Sequence, residues 1–174
     1  MVKKGQLYEG KAKKVFATDD PQLLIVDYKD DATAFNGLKK GTISGKGVIN
    51  NRMSNLLMQK LEKAGIPTHF VEELSERETL VKKVDIVPLE VIIRNIAAGS
   101  FLMLYGVEEG VVFDEPTIEF SYKNDELGDP LINDYHALAL KLATKEEIET
   151  IKKYAFGVND YLKAFWAECG VTLV

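Results

Sequence analysis

The sequence predicts an α+β fold that opens on an antiparallel β-hairpin. Three observations carry this. Two β-like runs, residues 15–18 and 23–28, flank the turn-forming Asp19-Asp20-Pro21. Two segments, 48–64 and 144–170, repeat apolar residues at a period near 3.6. Between them lie β-branched runs interrupted by proline, which suit strands better than helices. A chain of 174 residues forms one domain of ordinary size, or two small lobes sharing a core.

Composition narrows the class. With 46% hydrophobic and 28% charged residues, the chain reads as globular rather than disordered. No apolar run approaches the roughly 18 residues that span a membrane. Met1-Val2-Lys3-Lys4 is followed by no apolar segment, which argues against a secretory signal. A single cysteine, Cys169, excludes an internal disulfide and a multi-cysteine zinc site. His69 and His136 lie too far apart in sequence to suggest a histidine metal site. A net charge of −5 speaks against a broad nucleic-acid surface. A cytoplasmic protein with no nucleic-acid and no membrane partner is expected.

The elements follow in order. Lys11 and Lys13 fall in or just before the first hairpin strand. The polar stretch "DDATAFNGLKKGTISGKG", residues 30–47, is too long for a bare connector and reads as a functional loop. In the helix at 48–64, Val48, Ile49, Met53, Leu56, Leu57, Leu61 and Ala64 share a face. Gly65 and Pro67 end it. Residues 68–73 read as a strand, and Ser75-Glu76-Arg77-Glu78 resembles a capping box. Residues 80–96 suit two strands meeting at a bend at Pro88. Ser100 precedes the apolar run Phe101-Leu102-Met103-Leu104-Tyr105 as a helix N-cap. Residues 117–123 alternate as a strand and enter the turn "NDELGDP". Thr144-Lys145-Glu146-Glu147 forms a capping box for the last helix. That helix buries Ile148, Ile151, Ala155, Val158, Leu162, Phe165 and Trp166, and Gly170 stops it. Val171-Thr172-Leu173-Val174 has the composition of a buried strand.

Several residues could carry chemistry. Residues 5–12 nearly spell a P-loop, GxxxxGK followed by Ser or Thr, but Ala12 offers no hydroxyl to magnesium. No strand precedes Gly5, and a strand rather than a helix follows Lys11, so the amides that cradle phosphate are missing. A second geometry survives: Gly10 lets backbone approach a ligand, and Lys11 and Lys13, two apart on an extended strand, point to one side. They would hold a polyphosphate while Val15 and Leu24 floor a purine. Spacing alone favours the plainer alternative, a basic hairpin face in solvent. Arg94 ends the apolar run Val91-Ile92-Ile93 just before Gly99-Ser100. It is either a bidentate anion ligand or a strand-end arginine paired with Glu90 or another surface acid. Lys123 and Asp129 could hold an amino-acid substrate, although their loop is rich in turn formers whatever its function. His136 reads as structural, and Cys169 as a small buried residue.

The blocks "LYEGKAKKVF", "TAFNGLKKGTISGKGVINNRMSNLL", "VPLEVIIRNIAAGS" and "KNDELGDPLIN" stand in the order of one family. The chain resembles the SAICAR synthetases (phosphoribosylaminoimidazole-succinocarboxamide synthases) of purine biosynthesis, in their bacterial form, over nearly its whole length. The resemblance implies two lobes, 1–87 and 88–174, the first a nucleotide lobe with an antiparallel sheet like that of protein kinases. It implies ATP-driven joining of L-aspartate to carboxyaminoimidazole ribonucleotide, giving SAICAR, ADP and phosphate, with Mg2+ and with an acyl phosphate on the route. Gly10, Lys11, Ala12, Lys13, Val15 and Leu24 match the ATP site, the two lysines holding its phosphates. Lys82, Val84 and Ile86 lie in a segment matching the interlobe hinge that borders adenine. Arg94, Gly99 and Ser100 match the ribonucleotide site. Lys123 and Asp129 match polar, catalytic positions of the substrate cleft. Ser44 and Lys46 match a mobile glycine-rich loop near it. A homodimer is also implied.

Members of that family continue past this point with an Asp-Phe-Lys-Leu-Glu strand and a segment bearing metal-binding carboxylates. The chain is therefore expected to be a fragment or truncated product without the metal site and with little turnover. A truncated, non-catalytic nucleotide-binding or dimerising module is the alternative. A kinase-like phosphotransferase is disfavoured by the lack of a His-Arg-Asp catalytic loop.

Overall fold

A computed structural model of the chain describes residues 1–34 and 39–174, and the side chains of residues 33 and 34 lie outside the description with 35–38. The chain divides into two units, Met1–Asp85 and Ile86–Val174.

The first unit is built on five antiparallel strands in the order β1-β2-β3-β7-β6. Strands β1 (Lys3–Glu9), β2 (Lys13–Thr18) and β3 (Leu23–Tyr28) form a meander. The expected hairpin at Asp19-Asp20-Pro21 is β2–β3. Its turn is held by Gln22 N–H donating to Asp20 Oδ1 at 2.8 Å and by the Thr18 hydroxyl donating to Asp20 O at 2.7 Å. Strands β6 (Phe70–Glu73) and β7 (Glu78–Lys82) complete the sheet. A small hairpin, β4 (Asp31–Ala34) and β5 (Lys39–Thr42), leads into α1 (Lys46–Lys63).

Directly paired residues of antiparallel strands point to the same face. One face of the sheet therefore carries Phe16, Ile25 and Leu80 in a row. The other carries Lys13, Val15, Ala17, Leu24, Val26, Thr79 and Val81. Helix α1 packs on this second face, because the Thr79 hydroxyl lies 2.6 Å from Asn51 Oδ1 and 2.9 Å from Asn55 Oδ1. With one proton, the hydroxyl donates to only one of them at a time.

The helix face differs from the expectation except at Leu61. The buried positions are Gly47, Asn51, Asn55 and Leu61, while Ile49, Met53 and Leu56 are exposed. The reason is that the buried amides find partners there: Asn51 Nδ2 donates to Ser75 O and Glu76 O, and Asn55 Nδ2 donates to Glu73 Oε2. Both asparagines are fully buried, and these bonds satisfy them. Ser75 does not cap a helix. Its hydroxyl accepts from the Arg77 and Glu78 amides in a turn that enters β7. The loop expected at 30–47 contains the β4–β5 hairpin, apart from residues 35–38, which lie outside the description.

The second unit has three antiparallel strands in the order β10-β9-β8. They are β8 (Leu89–Ile96), β9 (Val112–Tyr122) and β10 (Leu131–Ile132). Helices α2 (Ser100–Tyr105), α3 (Asp134–Ala139) and α4 (Lys145–Glu168) accompany them. Alternation sorts the sheet. Leu89, Val91 and Ile93 face the same way as Tyr122, Phe120 and Ile118, and Leu89 and Phe120 form a core with Ala137, Ala143 and Ile148. The opposite face carries Glu90, Ile92 and Arg94 beside Ser121, Glu119 and Thr117. The predicted box at the start of α4 is present, with Glu147 N–H donating to Thr144 Oγ1 and Thr144 N–H to Glu147 Oε2. His136 is structural as expected. It closes a box at α3, where Nδ1 accepts from Asn133 N–H and must therefore be the unprotonated ring nitrogen.

Two terminal expectations fail. Residues 171–174 form no strand, and Val171 and Val174 are about half exposed. Cys169 is exposed, because it caps the end of α4 beyond its packed face. No described helix is long and apolar enough to cross a membrane.

Candidate functional site

Each unit gathers a group of the sequence-selected residues. In the first, β1 and β2 are joined by a tight turn in which Gly10 N–H donates to Lys13 O at 2.9 Å. Lys11 and Ala12 are thus turn residues, and Lys13 is the first residue of β2. This corrects the strand argument: Lys11 is not in extended conformation, so alternation does not align it with Lys13. Tyr8 lies against Gly10, where a Cβ would sit 3.0 Å from its hydroxyl. Ala12 O accepts from Lys29 N–H at 2.8 Å, which ties the turn to the end of β3.

The pairing does join three of the selected residues. Val15 pairs with Val26, Ala17 with Leu24 and Lys13 with Tyr28, so Lys13, Val15 and Leu24 share the α1 face. Lys82 pairs with Leu23 and by alternation starts on the other face, with Nζ donating to Thr68 O at 3.2 Å. Burial, then the charges of Lys13 and Lys82, pushes His69 below its usual pKa. Val84 is exposed beyond β7, and Ile86, which opens the second unit, is exposed as well.

Ser44 is exposed, and Lys46 is the first residue of α1. The helix start is held by a group the sequence reading missed. Asp30 accepts from Gly47 N–H at 2.8 Å and Gly45 N–H at 3.3 Å, capping α1 from outside it. Arg77 binds the same carboxylate with both terminal nitrogens, at 2.7 and 2.8 Å. That guanidinium, followed by the Gly47 amide, holds Asp30 far below the usual carboxylate range. Only glycine fits at position 47, since a Cβ would collide with the Arg77 guanidinium and the Tyr28 carbonyl.

In the second unit the polar sheet face floors a groove of about 590 Å³. Arg94, Ser100 and Asp129 line it together with Glu90, Glu119 and Ser121. Arg94 is anchored on several sides. Nε donates to Glu119 Oε2 at 3.3 Å, Nη1 to Ala98 O at 3.2 Å and Nη2 to Ser100 Oγ at 3.3 Å. The Phe101 ring centre lies 5.9 Å from Cζ, within cation–π range. Gly99 beside it sits at φ +60°, a conformation that favours glycine.

The acid that partners Arg94 is Glu119 rather than Glu90, the one the sequence alternative named. Glu90 pairs across with Ser121, whereas Glu119 lies diagonal to Arg94. Ser100 is not the N-cap of α2 either: Gly99 holds that place, and the hydroxyl serves Arg94 instead. Asp129 adopts φ +50° after Gly128 at +71°, and its Oδ1 accepts from Asn124 N–H at 2.8 Å. Lys123 is exposed and does not line this groove. Its backbone N–H donates to Pro88 O. Glu119 was legible in principle, since Thr117, Glu119 and Ser121 alternate with apolar neighbours.

Comparison with known proteins is specific. The SAICAR synthetase family model matches residues 6–174. The phosphoribosylaminoimidazole-succinocarboxamide synthase of Lachnoclostridium phytofermentans is 64% identical over all 174 residues, which cover 74% of that protein. The Caldanaerobacter subterraneus enzyme is 60% identical with the same coverage. Among solved structures, the Ehrlichia chaffeensis synthase superposes with TM-score 0.94 at 45% identity, covering 98% of this chain and 72% of that one. A SAICAR synthetase in complex with ADP gives 0.92 at 46% identity, covering 96% and 71%. A chain matched from residue 6 to residue 174, in both sequence and fold, belongs to the SAICAR synthetase family, ligases of purine biosynthesis.

Proposed function

We propose that the protein joins L-aspartate to carboxyaminoimidazole ribonucleotide at the expense of ATP, forming SAICAR, ADP and phosphate. The observation that carries this reading is the groove of the second unit, where a family member brings Arg94 of the sheet, Ser100 of α2 and Asp129 of the loop before β10 to one lining. The ADP bound by a structural neighbour supports the nucleotide half.

In this reading Lys11 and Lys13 neutralise the ATP phosphates, the Gly10–Ala12 turn lets backbone approach them, and Val15 and Leu24 floor the adenine. Lys82, Val84 and Ile86 are assigned to nucleotide binding, and Ser44 and Lys46 to substrate binding. Arg94, Gly99 and Ser100 hold the ribonucleotide. A carboxylate oxygen of the ribonucleotide attacks the γ-phosphorus and ADP leaves, giving an acyl phosphate. The aspartate amine then attacks the acyl carbon, phosphate departs, and the amine proton is lost. Lys123 and Asp129 orient these groups, and positioning with charge neutralisation supplies most of the acceleration.

Mg2+ belongs to the proposal as the partner of the ATP phosphates. Among the described residues no cluster of three or more His, Cys, Asp or Glu side chains could hold a metal, so no residue is assigned to it and no step runs through it. A cytoplasmic homodimer completes the reading, and sedimentation of the purified protein checks the dimer.

The nucleotide half is tested by thermal shift. A non-hydrolysable ATP analogue is expected to raise Tm, and the double variant Lys11→Ala, Lys13→Ala to abolish that rise. An undiminished shift would remove the lysines from the phosphate site. The reaction itself is tested by joining these residues to the remaining quarter of the Lachnoclostridium relative. With aspartate, the carboxylated ribonucleotide and Mg-ATP, SAICAR and ADP should then form in equal amounts.

A further inference from the structure

We infer that Glu119 is the positioning residue for Arg94: by accepting from Nε it fixes the guanidinium so that the N–H groups left on the two terminal nitrogens serve an anionic oxygen in the groove. The inference rests on the proposed role of the groove in holding the ribonucleotide.

A guanidinium has five N–H donors in a rigid fork. Three are committed, to Glu119, Ala98 O and Ser100 Oγ, one on each nitrogen. One donor therefore remains on Nη1 and one on Nη2, and both can serve an anionic oxygen. The three partners come from different elements: β9, the 97–99 segment and α2. Rotation of the guanidinium about its stem would break all three bonds together.

The Arg94–Glu119 pair is a poor candidate for a stability device. Its side chains are only 17% and 12% exposed, and at such burial the desolvation cost offsets much of the attraction. The pair also stands on the polar sheet face, away from the apolar core. What it gains is orientation. Without the Glu119 carboxylate, Nε–H would compete with the terminal nitrogens for the ligand, and the arginine would lose its single setting.

Two readouts on the intact chain test this. In 15N spectra the Arg94 Nε–H of the ligand-free protein should give a resolved, slowly exchanging signal. Glu119→Ala should broaden or remove it, while Glu119→Gln, which keeps an acceptor oxygen, should retain it. In equilibrium binding of carboxyaminoimidazole ribonucleotide, Glu119→Ala should weaken affinity about tenfold, with Glu119→Gln between it and wild type. In an Arg94→Ala background Glu119→Ala should add less than about twofold, because its effect runs through the arginine.

Equal losses with and without Arg94 would overturn the positioning role, as would an Nε–H signal indifferent to Glu119→Ala. A fall in Tm with unchanged ribonucleotide affinity would make Glu119 merely structural. If Arg94→Ala itself leaves ribonucleotide affinity unchanged, the proposed groove function fails and this inference with it. A weakened Arg94→Ala combined with an uncoupled Glu119→Ala sinks only the latter.

Discussion

The two units solve the same problem, one sheet serving both core and site, in opposite ways. In the second unit the faces are divided. Leu89 and Phe120 meet the helices through one face, while Arg94 and Glu119 stand on the other. In the first unit α1 packs on the very face that carries Lys13, Val15 and Leu24, and it does so through asparagines. The difference teaches where stability and binding separate. They should be independent in the second unit and coupled in the first.

The largest test of that contrast compares Phe120→Ala with Asn51→Ala. Phe120 is 3% exposed at the centre of an apolar cluster, so truncation should cost about 3–5 kcal/mol by denaturant unfolding. The milder Ile148→Val, at about 1 kcal/mol, keeps the unit folded for binding measurements. Its ribonucleotide affinity should equal wild type. Asn51→Ala removes the amide that serves Ser75 O and Glu76 O while Thr79 keeps Asn55, and should cost about 2 kcal/mol. It should also weaken the nucleotide analogue's thermal shift. A stability loss with full nucleotide response would break the coupling claimed for the first unit.

The asparagines also show what was legible in the sequence. Period 3.6 located α1 and α4 and the cap at Thr144, because those depend on local spacing and local hydrogen bonds. It misassigned the buried face of α1, since apolarity says nothing of carbonyls waiting on a distant turn. Strand β1 was missed because Lys3–Glu9 is exposed throughout and carries no alternation. At the candidate site, Arg94, Ser100 and Asp129 were selected from motif and family resemblance, and the groove brings them together. Glu119, Asp30 and Arg77 were not. Their roles lie in contacts 25 to 47 residues away, which no local window contains.

A smaller effect should come from the Asp30–Arg77 pair, read through pH. The carboxyl of Asp30 titrates far below its ordinary 3.8 in the folded chain, through Arg77 first and the Gly47 amide next. Below pH 3.8 the unfolded chain takes up a proton that the folded one refuses, so the stabilisation is present above that value and lost as pH falls beneath it. Asp30→Asn should therefore flatten the decline of Tm on the acid side. Parallel Tm profiles for wild type and variant below pH 4 would remove Asp30 from the account.

The smallest effect expected is at the apolar stripe that the sequence placed inside. Ile49 is 65% exposed, and Met53 and Leu56 are also open to solvent on α1. Replacing Ile49 by Ser removes almost no burial, so stability should change by no more than about 0.5 kcal/mol. Ser is a slightly poorer helix former than Ala or Leu but close to Ile, so propensity adds little in either direction. The same change at Leu61, buried on the inner face, should cost several times more. The ratio of the two losses in denaturant unfolding decides which face of α1 meets the sheet. A loss at Ile49 as large as that at Leu61, its companion on the predicted apolar face, would restore that reading and displace the asparagines from the first unit's interior.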